Sequence, residues 1–160
     1  MKEIRIHSKD LVFDLKVVEA CQTCKRYGTK GSCPPHINTI DFYQKLLPSY
    51  NNCIFYYDIF RVYKDNWEAE GKRTSLELHK FLLKKRDDLF NTGHHFVTIY
   101  GGGSCKFCNE CSIICQYPNK RLIPLEGTGM NVVETLKKVN ITLRFPITDF
   151  MLRVGAVFYD

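Results

Sequence analysis

The apolar positions of the chain change period several times, and each change marks an element. Near the start Ile4 and Ile6 alternate with charged neighbours, and Val12, Asp14 and Lys16 continue a similar pattern. A period of two sends successive side chains to opposite faces, so this stretch predicts a β-hairpin. The run NCIFYYDIFRVY, residues 52–63, is dense in aromatic and β-branched side chains and predicts a core strand. Leu78, Phe81, Leu82 and Leu89 then recur at helical spacing, with Lys84, Lys85, Arg86 and Asp88 on the other face. Gly93 is a natural stop for that helix. HFVTIY, residues 95–100, reads as a short buried strand running straight into Gly101, Gly102 and Gly103. Asn131 and Glu134 predict a capped helix through Lys138, and LRVGAVFYD closes the chain as another strand.

Strands and helices of this kind predict an α+β (mixed α/β) fold: a central mixed sheet flanked by helices. The chain has 160 residues, 44% of them hydrophobic and 25% charged, which is globular composition and one domain's worth of length. The expectation is a single metal-binding domain over residues 1–160, with cysteine loops at 21–35 and 101–118. The N-terminal stretch mixes acidic residues into its apolar ones and lacks the hydrophobic core of a secretory signal. No segment approaches the roughly 18–20 apolar residues of a membrane span. The expected location is therefore the cytoplasm, where thiols stay reduced and clustered cysteines bind metal or do redox chemistry.

Seven of the eight cysteines lie in two blocks, CQTCKRYGTKGSCPP at 21–35 and GGGSCKFCNECSIIC at 101–115. Cys105, Cys108, Cys111 and Cys115 have the spacing C-x2-C-x2-C-x3-C, followed by Pro118, which matches the cysteine intervals of the bacterial ferredoxin run. A cysteine at every third or fourth residue lets one loop wrap a [4Fe-4S] cluster. A zinc ion more often takes two C-x2-C knuckles separated by a longer connection, and zinc is the alternative metal. The three glycines before Cys105 are expected to bring backbone N–H groups close to an anionic cluster.

The first block supplies only Cys21, Cys24 and Cys33. A second cluster there takes its fourth ligand from Cys115, Cys53 or His36, or leaves one iron open to a small molecule. Cys53, inside the apolar run, also reads as a small buried hydrophobe. One or two clusters are thus expected, with a redox partner protein or a small-molecule substrate as the partner.

The formal charge is +6, from 23 Lys and Arg against 17 Asp and Glu, and Lys25, Arg26, Lys30 and Lys106 lie inside the cysteine blocks. Cations there favour thiolates, and two clusters of about −2 each would absorb much of the excess. RNA binding through Lys84, Lys85 and Arg86 is the weaker reading, because charge on the outer face of a helix usually serves solvation. His79, beside the apolar helix face, reads as structural, and so do His94 and His95 at the start of a strand.

The combination CQTCKRYGTKGSCPP, GGGSCKFCNEC and YPNKRLIPLEGTGMNVVETLKK resembles domain of unknown function family 2284, predicted metal-binding proteins. Its most specific elements are Tyr27-Gly28, Cys33-Pro34-Pro35, the glycine-to-cysteine stretch, and the tail with Pro118, Arg121, Pro124 and Glu126. The resemblance implies metal binding through Cys21, Cys24, Cys33, Cys105, Cys108, Cys111 and Cys115, and supplies no reaction. The chain departs from the family pattern between Cys111 and Cys115, where a longer insertion is usual. Residues and resemblance together point to an iron-sulfur protein with a redox role, in electron transfer or in cluster-dependent reductive or sulfur-handling catalysis. A zinc-stabilised interaction or RNA-binding module without redox activity is the alternative.

Overall fold

A computed structural model describes residues 1–61, 64–142 and 149–160. The aromatic run forms β2 (Asn52–Arg61), and Val62 and Tyr63 lie outside the described residues. The terminal strand β5 (Phe150–Tyr159) pairs antiparallel with β2 along its whole length and with β3 (Val97–Gly101) on its other side. With β1 (Lys2–Arg5) and the two-residue β4 (Ile123–Pro124) at the edges, the sheet order is β1-β2-β5-β3-β4. Only the β3–β4 pair is parallel, so the sheet is mixed.

Alternation along β5 divides the core. Val154, Ala156 and Phe158 join Phe55 and Tyr100 on one face, under Leu47, Leu125, Met130 and Leu136. That face is covered by α2 (Ile40–Leu46), α4 (Val132–Lys137) and the segments beside them. Val157 and Tyr159 join Tyr56 and Ile99 on the other face, under Leu78 and Leu82 of α3 (Trp67–Asn91). The α3 stripe is thus the expected one, and the helix ends at Thr92 with Gly93 at φ 99°. Asn131 caps α4 by accepting from the Glu134 N–H, 3.1 Å.

The expected N-terminal hairpin does not form. β1 pairs with β2, from Lys2 opposite Tyr57 to Arg5 opposite Ile54. Residues 12–16 instead turn into a helix: Phe13 makes one bridge to Met130, and α1 spans Leu15–Gln22. The physical reason is Asp14, whose extended backbone and carboxylate, accepting from the Lys16 N–H at 2.9 Å, start a helix. The alternation of three residues was too short to outweigh that cap.

Gly155, opposite Gly101 in β3, lets α3 lie close on the sheet, because a β-carbon there would lie 2.6 Å from Leu82 Cδ1 and 2.9 Å from the Tyr100 carbonyl oxygen. Replacing it should force α3 off the strand. The expected cost of Gly155→Ala is about 1–3 kcal/mol, read as a lower urea midpoint with an unchanged slope.

Candidate metal centre

The first cysteine block begins on a helix and continues through a chain of tight turns. Cys21 sits in the last turn of α1, and Cys24 follows its C-cap Thr23. Backbone bonds from Cys24 to Cys21, Tyr27 to Cys24, Cys33 to Lys30 and His36 to Cys33 wind the segment into a compact loop. Gly28, at φ 69°, closes it by donating to the Pro34 carbonyl, 2.9 Å. The Arg26 N–H points at Cys24 Sγ, 3.5 Å, the kind of contact that stabilises a thiolate. Cys21, Cys24 and Cys33 line one cavity of about 510 Å³ together with Tyr27, Asn131 and Glu126.

The second block leaves the end of β3. Gly102 and Gly103 turn the chain, and the irregular segment beyond them carries Cys105, Cys108, Cys111 and Cys115 around a single void of about 20 Å³. Phe107 anchors this segment: its ring lies 5.6 Å from that of His79 and 5.7 Å from that of Tyr117, with Lys120 Nζ 5.3 Å from its centre. His79, buried on α3, donates from Nε2 to the Lys120 carbonyl at 2.7 Å, while its Nδ1 has no partner among the described residues. Of the structural and exposed placements open to His79, the buried, hydrogen-bonded one is found.

The two loops are fitted into each other. The Gly31 N–H donates to the Ser112 carbonyl at 3.2 Å, and a β-carbon on Gly31 would meet the Ile113 carbonyl oxygen at 2.2 Å. Arg121 donates to the Gly31 carbonyl at 3.2 Å, and the buried Lys30 ammonium donates to the Cys105 carbonyl at 2.9 Å. All of these contacts are to backbone oxygens, and at residue 31 the close approach leaves no room for a side chain, so it must be glycine.

The chain belongs to the DUF2284 family of predicted metal-binding proteins. The family match covers residues 4–159, nearly the whole chain. No curated protein and no solved structure matches it.

Metal binding, which the DUF2284 description implies, agrees with the donor chemistry of both loops. All eight cysteines are free thiols. Among the described residues no three His, Cys, Asp or Glu side chains are gathered tightly enough to grip one metal ion. The seven loop thiols instead ring two cavities, and they share a charge environment. Burial, then the charges of Glu126, Cys24 and Cys33, push the Cys21 thiol up. Burial likewise pushes Cys33 up, with Ser32 and Lys30 opposing and Cys24 and Cys111 adding to the rise. Desolvation and then Cys105, Cys111 and Cys115 raise Cys108, against an opposing pull from Lys30. Lys106 is pulled down by desolvation and by Arg26, Lys30 and Arg153 around it. Arg26, Lys30 and Lys106 thus act on one another close to both thiol sets, although burial still raises Cys21, Cys33 and Cys108.

Several expectations about ligands need correction or placement. Cys115 stays with Cys105, Cys108 and Cys111 and lines none of the first block's cavity. Cys53 is 3% exposed in the β2 core, and burial alone drives its thiol far up, as suits a small hydrophobe. His36 Nε2 donates to the Gly28 carbonyl at 3.1 Å and is likewise absent from the thiol cavity. The glycine N–H groups do not form an open cradle. Gly102 donates to the Val154 carbonyl at 2.7 Å and Gly103 to Glu126 Oε2 at 3.1 Å, because the sheet and the carboxylate take them first. On α3, Lys84 pairs with Asp88, Arg86 with Asp87, and Lys85 lies over Tyr56 and Phe81, so the supposed RNA face is internally engaged. Glu126 is the site residue that spacing missed; its sequence signal was its place in the family tail.

Three outcomes follow from this geometry. Gly31→Ala should pry the loops apart and lower metal affinity by about tenfold or more in a chelator competition. Burial pushes the Cys21 and Cys33 thiols up, which favours their protonated forms before metal arrives. Metal uptake should therefore release protons into a weak buffer, and affinity should fall as pH falls. Pulsed alkylation read by mass spectrometry should label exposed Cys24 first and Cys53 only after unfolding.

Proposed function

We propose that this DUF2284 protein is an iron-sulfur protein with a redox role. In this reading Cys105, Cys108, Cys111 and Cys115 hold a [4Fe-4S] cluster that carries electrons, and Cys21, Cys24 and Cys33 hold a second at which a small molecule is reduced. The observation that carries it is the division of the seven thiols. Four line a small void of their own, while three line a cavity of about 510 Å³ with room for a ligand. Such clusters pass single electrons, and a corner iron without a thiolate acts as a Lewis acid.

The chain's own residues have definite tasks in this scheme. Lys30, buried and tied to the Cys105 carbonyl, offsets thiolate charge on both sides, since it acts on Cys33 and on Cys108. Arg26 and Lys106 add positive charge beside it. Phe107 and Tyr117 shield the four-thiol set with apolar surface. The wider cavity admits a molecule past Tyr27 and Asn131 to the three-thiol set.

A zinc-stabilised module is the second reading. It is favoured by the size of the four-thiol void, about 20 Å³, which is near the room of one water or one ion, so that a cluster requires the loop to spread.

Anaerobic purification with iron, acid-labile sulfide and zinc analysis separates the two. The expected result is brown protein with about eight irons and eight sulfides per chain. Cys108→Ser and Cys24→Ser should each remove about half of that iron. Colourless protein with stoichiometric zinc and no sulfide would overturn the iron-sulfur reading.

A further inference from the structure

The three-thiol site lacks a fourth thiolate, and the donors that spacing offered are all elsewhere. Cys53 is in the β2 core, Cys115 lines the other void, and His36 is committed to the Gly28 carbonyl. A carboxylate is present instead. Glu126 lines the same cavity as Cys21, Cys24 and Cys33, and its backbone carbonyl lies 3.8 Å from Cys21 Sγ. Its carboxylate accepts from the Gly103 N–H at Oε2, 3.1 Å, and from its own backbone N–H. Gly103 reaches that position at φ 75°, in the left-handed region.

The charge balance around Glu126 is unusual. It is partly buried, yet among the described residues no Lys, Arg or His forms an ion pair with it. Its charged neighbours include the Cys21 thiol, which it repels when both are ionised. Lys16 and Arg26 line the same cavity without pairing to Glu126, so its carboxylate stays open to a metal cation held by the three thiols. Glu126 also lines the neighbouring cavity of about 750 Å³, whose described walls include Val17, Met130, Val132, Leu152 and Val154. It stands where the two cavities meet.

We propose that Glu126 is the fourth protein ligand of the three-cysteine site, binding through its carboxylate. This rests on the iron-sulfur reading above and names the donor that reading lacks. A carboxylate oxygen is a harder and more readily displaced ligand to iron than a thiolate. The corner it holds is therefore the one a substrate with an oxygen or nitrogen donor takes over, entering from the apolar cavity on the far side of Glu126. Gly103 positions the carboxylate and carries no ligand role itself.

The test compares the anaerobically loaded parent chain with Glu126→Gln and Glu126→Cys. Glutamine keeps the size of the side chain and still accepts from the Gly103 N–H, but is a poor iron ligand; cysteine restores a ligand of the other kind. After limited oxidation, iron is counted and three-iron centres are quantified by electron paramagnetic resonance. Glu126→Gln should lose about one further iron per chain and raise the three-iron signal about tenfold over the parent. Glu126→Cys should keep the parent's iron. Equal iron retention in the parent and Glu126→Gln overturns the assignment, and so does equal loss in the Gln and Cys variants, which marks a structural role. The signal of the Cys105–Cys115 cluster, unchanged in every variant, reports an intact fold. A parent chain with neither iron nor sulfide fails the iron-sulfur reading itself, and the ligand assignment with it.

Discussion

The arrangement of the thiols depends on one backbone contact, Gly31 against Ser112 and Ile113. The donated N–H and the absent side chain let two irregular loops, far apart in sequence, lie with their main chains touching. Loops with no regular secondary structure are poor scaffolds unless other elements hold them. Here the first loop is held by α1 and its own turns, and the second by the end of β3 and the aromatic anchor at Phe107. Their junction sets the two thiol groups close enough to feel each other's charge, as Cys33 feels Cys111.

That junction is carried in turn by α3. His79 reaches from the buried face of the helix to the Lys120 carbonyl, and Arg121 next to it reaches the Gly31 carbonyl. A displacement of α3 on the sheet is thus transmitted through two hydrogen bonds to both cysteine loops. The same helix is packed on Gly155 in the central strand, so the core on that face of the sheet and the cysteine loops share one mechanical support.

What could be read in the chain follows from the range of the interactions involved. The period and composition of β2, α3 and β5 express burial on a sheet, a property of many residues acting together, and all three elements form where the pattern lies. The grouping of Cys105, Cys108, Cys111 and Cys115 was legible because it is local. The N-terminal hairpin was misread because a single capping aspartate, Asp14, outweighs three alternating residues. Short elements such as α2 and β4 gave no pattern long enough to detect. Glu126 lay beyond any spacing argument, since its approach to Cys21 depends on the α1 packing against the segment after β4.

Lys30 gives the two thiol sets a physical link beyond proximity. Its ammonium is buried at the junction, fixed by the Cys105 carbonyl, and its charge lowers the cost of ionising both Cys33 and Cys108. A single cation shared by two anionic groups cannot fully satisfy both, so negative charge added to either set raises the cost of adding it to the other. Arg26, Lys106 and Arg153 nearby add further positive charge and soften that coupling. The two thiol sets are therefore electrostatically coupled through Lys30, and a change of charge in one is felt in the other.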